Sequence, residues 1–328
     1  MVEMTTPLIT FDRATDRLWS TGGASLLQPR AMQLSHRMLA PAGYLGISRL
    51  HAAINKALRP HSDTMIVERE FRFVFPSNDY YWNRLLDSSW SYEPEIDAYL
   101  SMMASTPWFF IDLGANYGYW SARVGSGMYG PHPSIAVEAA AATFLVLERN
   151  TRNLPQPVAL YHRAIDAVSG SEVVLYGERH AGLSIDKSWY GASSKVANQV
   201  ETISIDDLLS AERVDPAVVP VLVKLDVEGV EMRALQGAER TLDGQSVFLI
   251  EDAEKGEVSD AVRWLFERPE MTLFLFKRGQ FAELRELDEI LSIRARESKW
   301  RGVGLNLVAT ASPIWKDAMS KTQKTGFS

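Results

Sequence analysis

Three apolar runs, each ending in glycine or charge, constrain this chain more than any other feature. The first, from Trp108 to Tyr119, reads Trp-Phe-Phe-Ile-Asp-Leu-Gly-Ala-Asn-Tyr-Gly-Tyr. Phe109 to Leu113 reads as a buried strand bounded by Pro107 and Gly114, and the glycine-hinged turn that follows opens a helix. Near-continuous apolar strands belong to parallel sheets covered by helices. A turn of this kind at a strand's carboxyl end lets backbone approach a nucleotide-like ligand closely. The spacing is D-x-G-x-N-x-G, through Asp112, Gly114, Asn116 and Gly118, and not the G-x-G-x-x-G of a dinucleotide site. Asn116 tolerates the left-handed backbone that glycine adopts there, so the hinge is retained. Tyr119 removes the tight contact allowed by the third glycine of a dinucleotide site. A glycine turn in an ordinary αβ layer is the bland alternative.

The second run, Ser134 to Val137, ends in Glu138 and precedes a helical stretch from Ala141 to Asn150. In a βαβ unit, this spacing from Asp112 brings Glu138 to the end of the neighbouring strand, where a carboxylate accepts both ribose hydroxyls of a nucleoside. The competing role is a carboxylate that satisfies a helix N-terminus. The third run, Val221 to Asp226, carries Lys224 and Asp226 two positions apart and therefore on one face. Charges at the end of a buried strand belong in a cleft rather than a core. Gly229 then starts a helix expected over Val230 to Leu242.

Together, D-L-G-A-N-Y-G, V-E with a helix ending L-E-R-N, and K-L-D-V-E-G-V-E-M-R-A-L-Q-G-A resemble the FkbM family of S-adenosylmethionine-dependent methyltransferases. The similarity runs from about Tyr92 to Leu307, and Val200 to Leu209 also fits the pattern. The resemblance implies an α/β fold: a Rossmann-like class I methyltransferase sheet with an N-terminal helical/β accessory region. It further implies methyl transfer from S-adenosyl-L-methionine, usually to a hydroxyl of a sugar or polyketide-type product. Two departures stand out. Ala139 replaces the family's usual proline, and Glu251-Asp252-Ala253 lacks the histidine that often follows the acid there. No catalytic histidine carries over.

Composition narrows the class. The chain has 328 residues, 46% of them hydrophobic, enough for one large core and an accessory region. A net charge of −7 argues against nucleic acid, and the absence of cysteine excludes disulfides, thiolate chemistry and cysteine-based zinc sites. Met1 to Ile9 has no apolar signal core and no run is long enough to span a membrane. A cytoplasmic protein is expected.

The expected organisation is an accessory region over 1–100, suited to substrate binding or homo-oligomer formation, a catalytic domain over 101–311 and a tail over 312–328. Residues 1 to about 60 read as helices broken at Pro29 and Pro41. Phe71, Phe73 and Phe75 alternate as in a half-buried strand. A third catalytic-domain strand is expected over Val158 to Ile165, then β segments at Glu172 to Tyr176 and Gln199 to Ile205. The polar stretch Gly177 to Asn198 between those segments reads as a lid. Later strands are expected at Val247 to Glu251, Leu273 to Phe276 and Val303 to Ala309, with a helix over Ala282 to Arg294.

Expected cofactor contacts are Asp112, Gly114, Asn116, Gly118, Glu138 and Asp166, the last facing adenine or serving as a loop cap. Asp226 is the leading base or acceptor-orienting group, with Lys224, Glu228 and Glu251 beside it; an ion-pair and capping network is the alternative. A divalent metal on Asp226, Glu251 and Asp252 is the less favoured option. Tyr80, Tyr81, Trp82, Trp90 and Tyr92 lie among Asp79, Asn83, Asp87, Ser88, Ser89 and Ser91, a mixture that suits a saccharide; rings that simply pack the N-terminal segment onto the sheet are the alternative for any one of them. Trp82 and Trp90 are the leading acceptor contacts, with His180 from the lid. The favoured acceptor is a glycan or glycosylated metabolite. The alternatives are a polyketide-type product, a nicotinamide-dependent oxidoreductase and a non-catalytic cofactor-binding partner.

Overall fold

A computed structural model describes residues 8–42, 44–178, 180, 182–188, 195–252, 257–277, 279–297 and 305–325. The chain divides into two compact units between Tyr92 and Glu93, whereas the sequence places the division near residue 100.

In the first unit, β1 (Leu8–Asp12) and β2 (Arg17–Thr21) precede α1 (Leu27–Leu39) and α2 (Ile47–Leu58), followed by β3 (Asp63–Glu68) and β4 (Phe71–Pro76). The strands form one sheet in the order β2-β1-β3-β4. Phe71, Phe73 and Phe75 are fully buried, as their alternation requires. Two strands occupy a region read as helical, because five-residue strands are too short to present a distinct period. Pro29 does not break α1: it sits in the first turn, where a missing N–H costs nothing.

The second unit contains, in chain order, α3 (Pro94–Met102), β5 (Phe109–Leu113), α4 (Tyr119–Gly125), β6 (Ser134–Val137), α5 (Ala141–Thr151), β7 (Val158–Tyr161), β8 (Ala164–Ile165), β9 (Glu172–Tyr176) and β10 (Val196–Ile203). There follow α6 (Ile205–Ala211), β11 (Val221–Leu225), α7 (Glu231–Gln236), α8 (Glu239–Asp243), β12 (Ser246–Asp252) and α9 (Asp260–Phe266). Last come β13 (Thr272–Lys277), β14 (Gln280–Glu283), α10 (Asp288–Glu297), β15 (Leu305–Thr310) and α11 (Pro313–Thr325).

Eight strands form the main sheet, in the order β14-β13-β15-β12-β11-β5-β6-β7. From β7 to β12 neighbouring strands are parallel, whereas β15 runs antiparallel to both β12 and β13. This is a Rossmann-like sheet. The chain leaves β5 toward β6 and β7, then returns to the other side of β5 as β11. That reversal is the topological switch point at which doubly wound sheets place a crevice for ligand, at the carboxyl ends of β5 and β11. Ile111, Leu113, Val223, Leu225, Phe248 and Ile250 form the centre of the core below it.

Several expected elements are cut differently. The segment Val158 to Ile165 divides into β7 of the main sheet and β8 of a separate sheet ordered β8-β10-β9. The helix expected over Val230 to Leu242 divides into α7 and α8 around Gly237, where a Cβ would lie 2.7 Å from the Asp166 carbonyl oxygen. Ala282 and Glu283 pair with β13 as part of β14, so the following helix starts six residues later than expected. The expected tail contains α11, with Trp315 and Met319 fully buried. Met1 to Pro7, much of the expected lid (179, 181 and 189–194), Ala253 and Val303 lie outside the described residues.

Candidate active site

The crevice begins with two strands in contact. Asp112 and Lys224 are register partners across β5 and β11, as are Leu113 and Leu225. Beyond them, Gly114 adopts a φ of +73°, and a Cβ there would sit 1.8 Å from the Asp226 carbonyl oxygen. Only glycine lets the two strand ends come so close. Asn116 is left-handed, with φ 52°, as expected from its type. Gly118 is left-handed too, but its missing Cβ faces Leu147 of α5 at 2.5 Å. Its role is therefore to turn the chain into α4 and seat that helix on α5, rather than to open space for a ligand.

Glu138 braces this turn. Its Oε2 accepts the Asn116 N–H at 2.9 Å, and its Oε1 accepts the Ala140 N–H at 2.7 Å. Burial pushes its pKa up to about 7, against the opposing pull of those two N–H donors. His180 lies against the same turn: its ring stacks on Tyr117 with centroids 4.6 Å apart, and its Nδ1 is 3.0 Å from the Asn116 side-chain amide. Asp166 is committed elsewhere. Its carboxylate makes a two-pronged ion pair with Arg233 and accepts the Ala167 N–H.

The charged end of β11 is a buried network. Lys224, almost completely buried, donates to Asp226 Oδ2 at 2.8 Å, and Asp226 is partly open to solvent. Burial alone would lower the Lys224 pKa, but Asp226, Glu93 and Asp112 outweigh it and hold the ammonium charged. Asp112 Oδ2 accepts from the Ser121 hydroxyl at 2.5 Å and the Ser121 N–H at 3.0 Å. Its Oδ1 is buried without a hydrogen-bond partner among the described residues. Burial raises the Asp112 pKa, against the pull of Lys224. Burial also raises Glu251 well above the carboxylate range, and the charges of Asp226, Glu93 and Glu228 add to the effect.

Glu93 was not found by sequence reading. It precedes Pro94 at the start of α3 with a φ of 41°, and its Oε2 accepts the Trp120 indole N–H at 2.6 Å. Asn306 of β15 donates to Glu93 Oε1 at 3.3 Å and Glu95 Oε1 at 2.7 Å. Burial pushes the Glu93 pKa to about 7, with Lys224 pulling it back. The sequence shows only an acid before Pro94; the left-handed backbone that aims Glu93 inward is visible in the structure alone.

Glu228 and Gly229 are consecutive left-handed residues, and the Gly229 N–H donates to Glu231 Oε1 at 3.0 Å. Asp252 is fully buried and paired with Arg294 of α10 at 2.8 Å, so it faces a helix and not Asp226. Among the described residues, no group of three or more His, Asp or Glu side chains is arranged to hold a metal ion.

In the first unit, the aromatic segment is built as core. Trp82 is 2% exposed, with ring centroids 4.8 Å from Phe73 and 5.0 Å from Tyr92, and has no face to offer a sugar. Trp90 is half-buried, with the Arg84 guanidinium 5.9 Å from its ring centroid. The interspersed polar groups serve turns: Asp79 Oδ1 accepts the Tyr81 and Trp82 N–H groups, and Asp87 Oδ1 accepts both the N–H and the hydroxyl of Ser89. Arg13 donates to the carbonyls of Leu85, Asp87, Ser88 and Trp90, tying the segment down. Asp79, Asp87 and Ser89 thus serve the turns of this segment.

The family model described as the methyltransferase FkbM domain matches residues 112–289. Among solved structures, the chain is similar to methyltransferase FkbM of Methylobacillus flagellatus KT, at 16% identity over 62% of this chain and 43% of that one, with a TM-score of 0.40. It is also similar to a protein named as a candidate O-methyltransferase of Klebsiella pneumoniae, at 10% identity over 67% and 81% of the two chains, with a TM-score of 0.37. The chain spans less than half the length of the first, and likenesses this distant carry no weight for substrate or mechanism. No curated protein matches.

Proposed function

Because the chain belongs to the FkbM methyltransferase domain family, we propose that it is an S-adenosylmethionine-dependent O-methyltransferase acting on a saccharide hydroxyl. The observation that carries this reading is the Lys224–Asp226 pair, which stands at the end of β11 directly against the glycine turn of β5. The residues on the turn fit a nucleoside. A carboxylate has about four lone-pair sites, so Glu138, which uses one on each oxygen for backbone N–H groups, has capacity for two ribose hydroxyls. When bound, S-adenosylmethionine supplies a methyl group already made electrophilic by its sulfonium.

The protein's task is then to aim an acceptor oxygen. Alignment is worth roughly 7–11 kcal/mol, whereas a general base adds about 10²–10⁴-fold. Asp226, oriented by Lys224, accepts or directs the acceptor hydroxyl. Glu93, Glu251 and Asn306 supply further hydroxyl-binding groups around the same end of the sheet. That density of polar partners supports a polyhydroxylated acceptor, and this support replaces the aromatic platform.

The test is calorimetric titration with S-adenosylhomocysteine, followed by transfer of a labelled methyl group to a panel of glycosides and polyketide-type alcohols. Glu138→Ala is expected to weaken cofactor binding at least tenfold, since a charge-assisted hydrogen bond contributes about 1.5–3 kcal/mol. Tight NADH binding without S-adenosylhomocysteine binding would overturn the proposal. Transfer confined to non-carbohydrate alcohols would retain the chemistry and replace the acceptor.

A further inference from the structure

Helix α1 is built with apolar residues on its outside. Its inner face buries Gln28, Pro29, Met32, Ser35 and His36, and the helix packs on α2. Leu27, Leu34 and Met38, spaced by seven and four residues, share one line along the opposite face. They are 68%, 58% and 69% exposed. Leu45, between the helices, is 80% exposed, and Leu50 on α2 is exposed as well. The α1 line alone groups three large apolar side chains, and such a group marks an interaction site, whereas single ones need no explanation.

The charge of this surface identifies what it meets. The chain carries a net charge of −7, yet from Arg17 to Ser62 it contains no Asp or Glu. The same stretch holds Arg17, Arg30, Arg37, Arg49, Lys56 and Arg59, and all six side chains are exposed. Arg37 pairs with Asp16 at the edge of the stretch. Arg30, Arg49, Lys56 and Arg59 form no ion pair among the described residues.

We propose that the α1–α2 face docks this protein on an anionic membrane surface, with the leucine line inserted among the lipid headgroups and the flanking cations at the phosphates. A helix with an apolar line beside arginine and lysine lies in the interfacial plane without crossing the bilayer. Anionic lipid attracts such cations, and their long stems let the charge stay at the headgroups while the apolar side chains sink deeper. A convex helix face also suits a deformable lipid surface better than a rigid partner. A second copy of the chain fits less well, because a two-fold interface would set this predominantly cationic surface against itself, with Asp16 already paired to Arg37.

Flotation with vesicles tests this. At low salt, the full chain partitions onto vesicles of mixed phosphatidylcholine and phosphatidylglycerol, and not onto phosphatidylcholine alone. The double variants Leu34→Ser with Met38→Ser and Arg30→Glu with Arg49→Glu each lower partitioning at least tenfold. Their thermal unfolding is unchanged, because all four side chains are exposed, and high salt lowers wild-type binding in the same way. Absence of wild-type binding, equal binding to neutral vesicles, or full binding by the charge-reversed variant overturns the proposal. A dimer in vesicle-free solution that Leu34→Ser with Met38→Ser dissociates also overturns it, and assigns the face to a second copy.

Discussion

Lys224 is a cation placed beyond the reach of bulk water, and its neighbours define what the site can tolerate. Removing one partner of a buried pair leaves the other charge uncompensated, at a cost of about 3–5 kcal/mol. Lys224→Met, which strands the carboxylates of Asp226, Glu93 and Asp112, should therefore lower the unfolding free energy by that amount in denaturant titrations. Asp226→Asn preserves shape and can still accept from Lys224. Methyl transfer should fall at least tenfold while S-adenosylhomocysteine affinity stays within twofold, the pattern of an interaction made in the transition state. Full activity in this variant would move the role to Glu93 or Glu251. The pairing of Lys224 with Asp226 was legible because period two puts both on one face. Glu93 and Asn306 were not, since they arrive from the start of α3 and from antiparallel β15, and nothing in either segment advertises the other.

Among the elements, those with a strong hydrophobic signal were the legible ones. β5, β6, β11 and β12 are runs of apolar residues buried on both faces, and β4 alternates; such patterns have one reading. The division of α7 from α8 depends on a tertiary contact between Gly237 and the Asp166 carbonyl, which no local pattern encodes. The segment around Trp82 shows the converse: its composition suits a saccharide, while Asp79 and Asp87 hold turns. Trp82→Ala removes a ring packed on Phe73, Tyr81 and Tyr92. It should cost about 3–5 kcal/mol of stability in the first unit. Chemical denaturation followed by aromatic circular dichroism would measure this, and an unchanged midpoint would restore Trp82 as a candidate ligand.

Across the whole molecule, the two units should answer pH in opposite senses. In the first, burial lowers the pKa values of His36 and His51 from 6.5 to about 4. The native state then binds fewer protons than the unfolded state between those values, so this unit gains stability as pH rises from about 4 to 6.5. In the second, Glu93, Glu138 and Glu231 are raised from 4.5 to about 7. There the native state holds more protons, and stability is lost as pH rises through the same range and up to about 7. Glu93→Gln should flatten that loss by on the order of 1 kcal/mol. Hydrogen exchange resolved by segment, corrected for intrinsic rates, would reveal the opposed trends; parallel trends would refute them. The pairing of β5 with β11 bears on synthesis as well. The two strands that border the crevice are separated in the chain by β6, β7 and an entire three-stranded sheet. On the ribosome, the β5 edge that β11 will cover stays unpaired until Val221 to Leu225 have emerged, and unpaired apolar edges of this kind are where growing chains aggregate. Slow codons between Thr151 and Val221 should therefore lower soluble yield, and faster translation through that stretch should raise it.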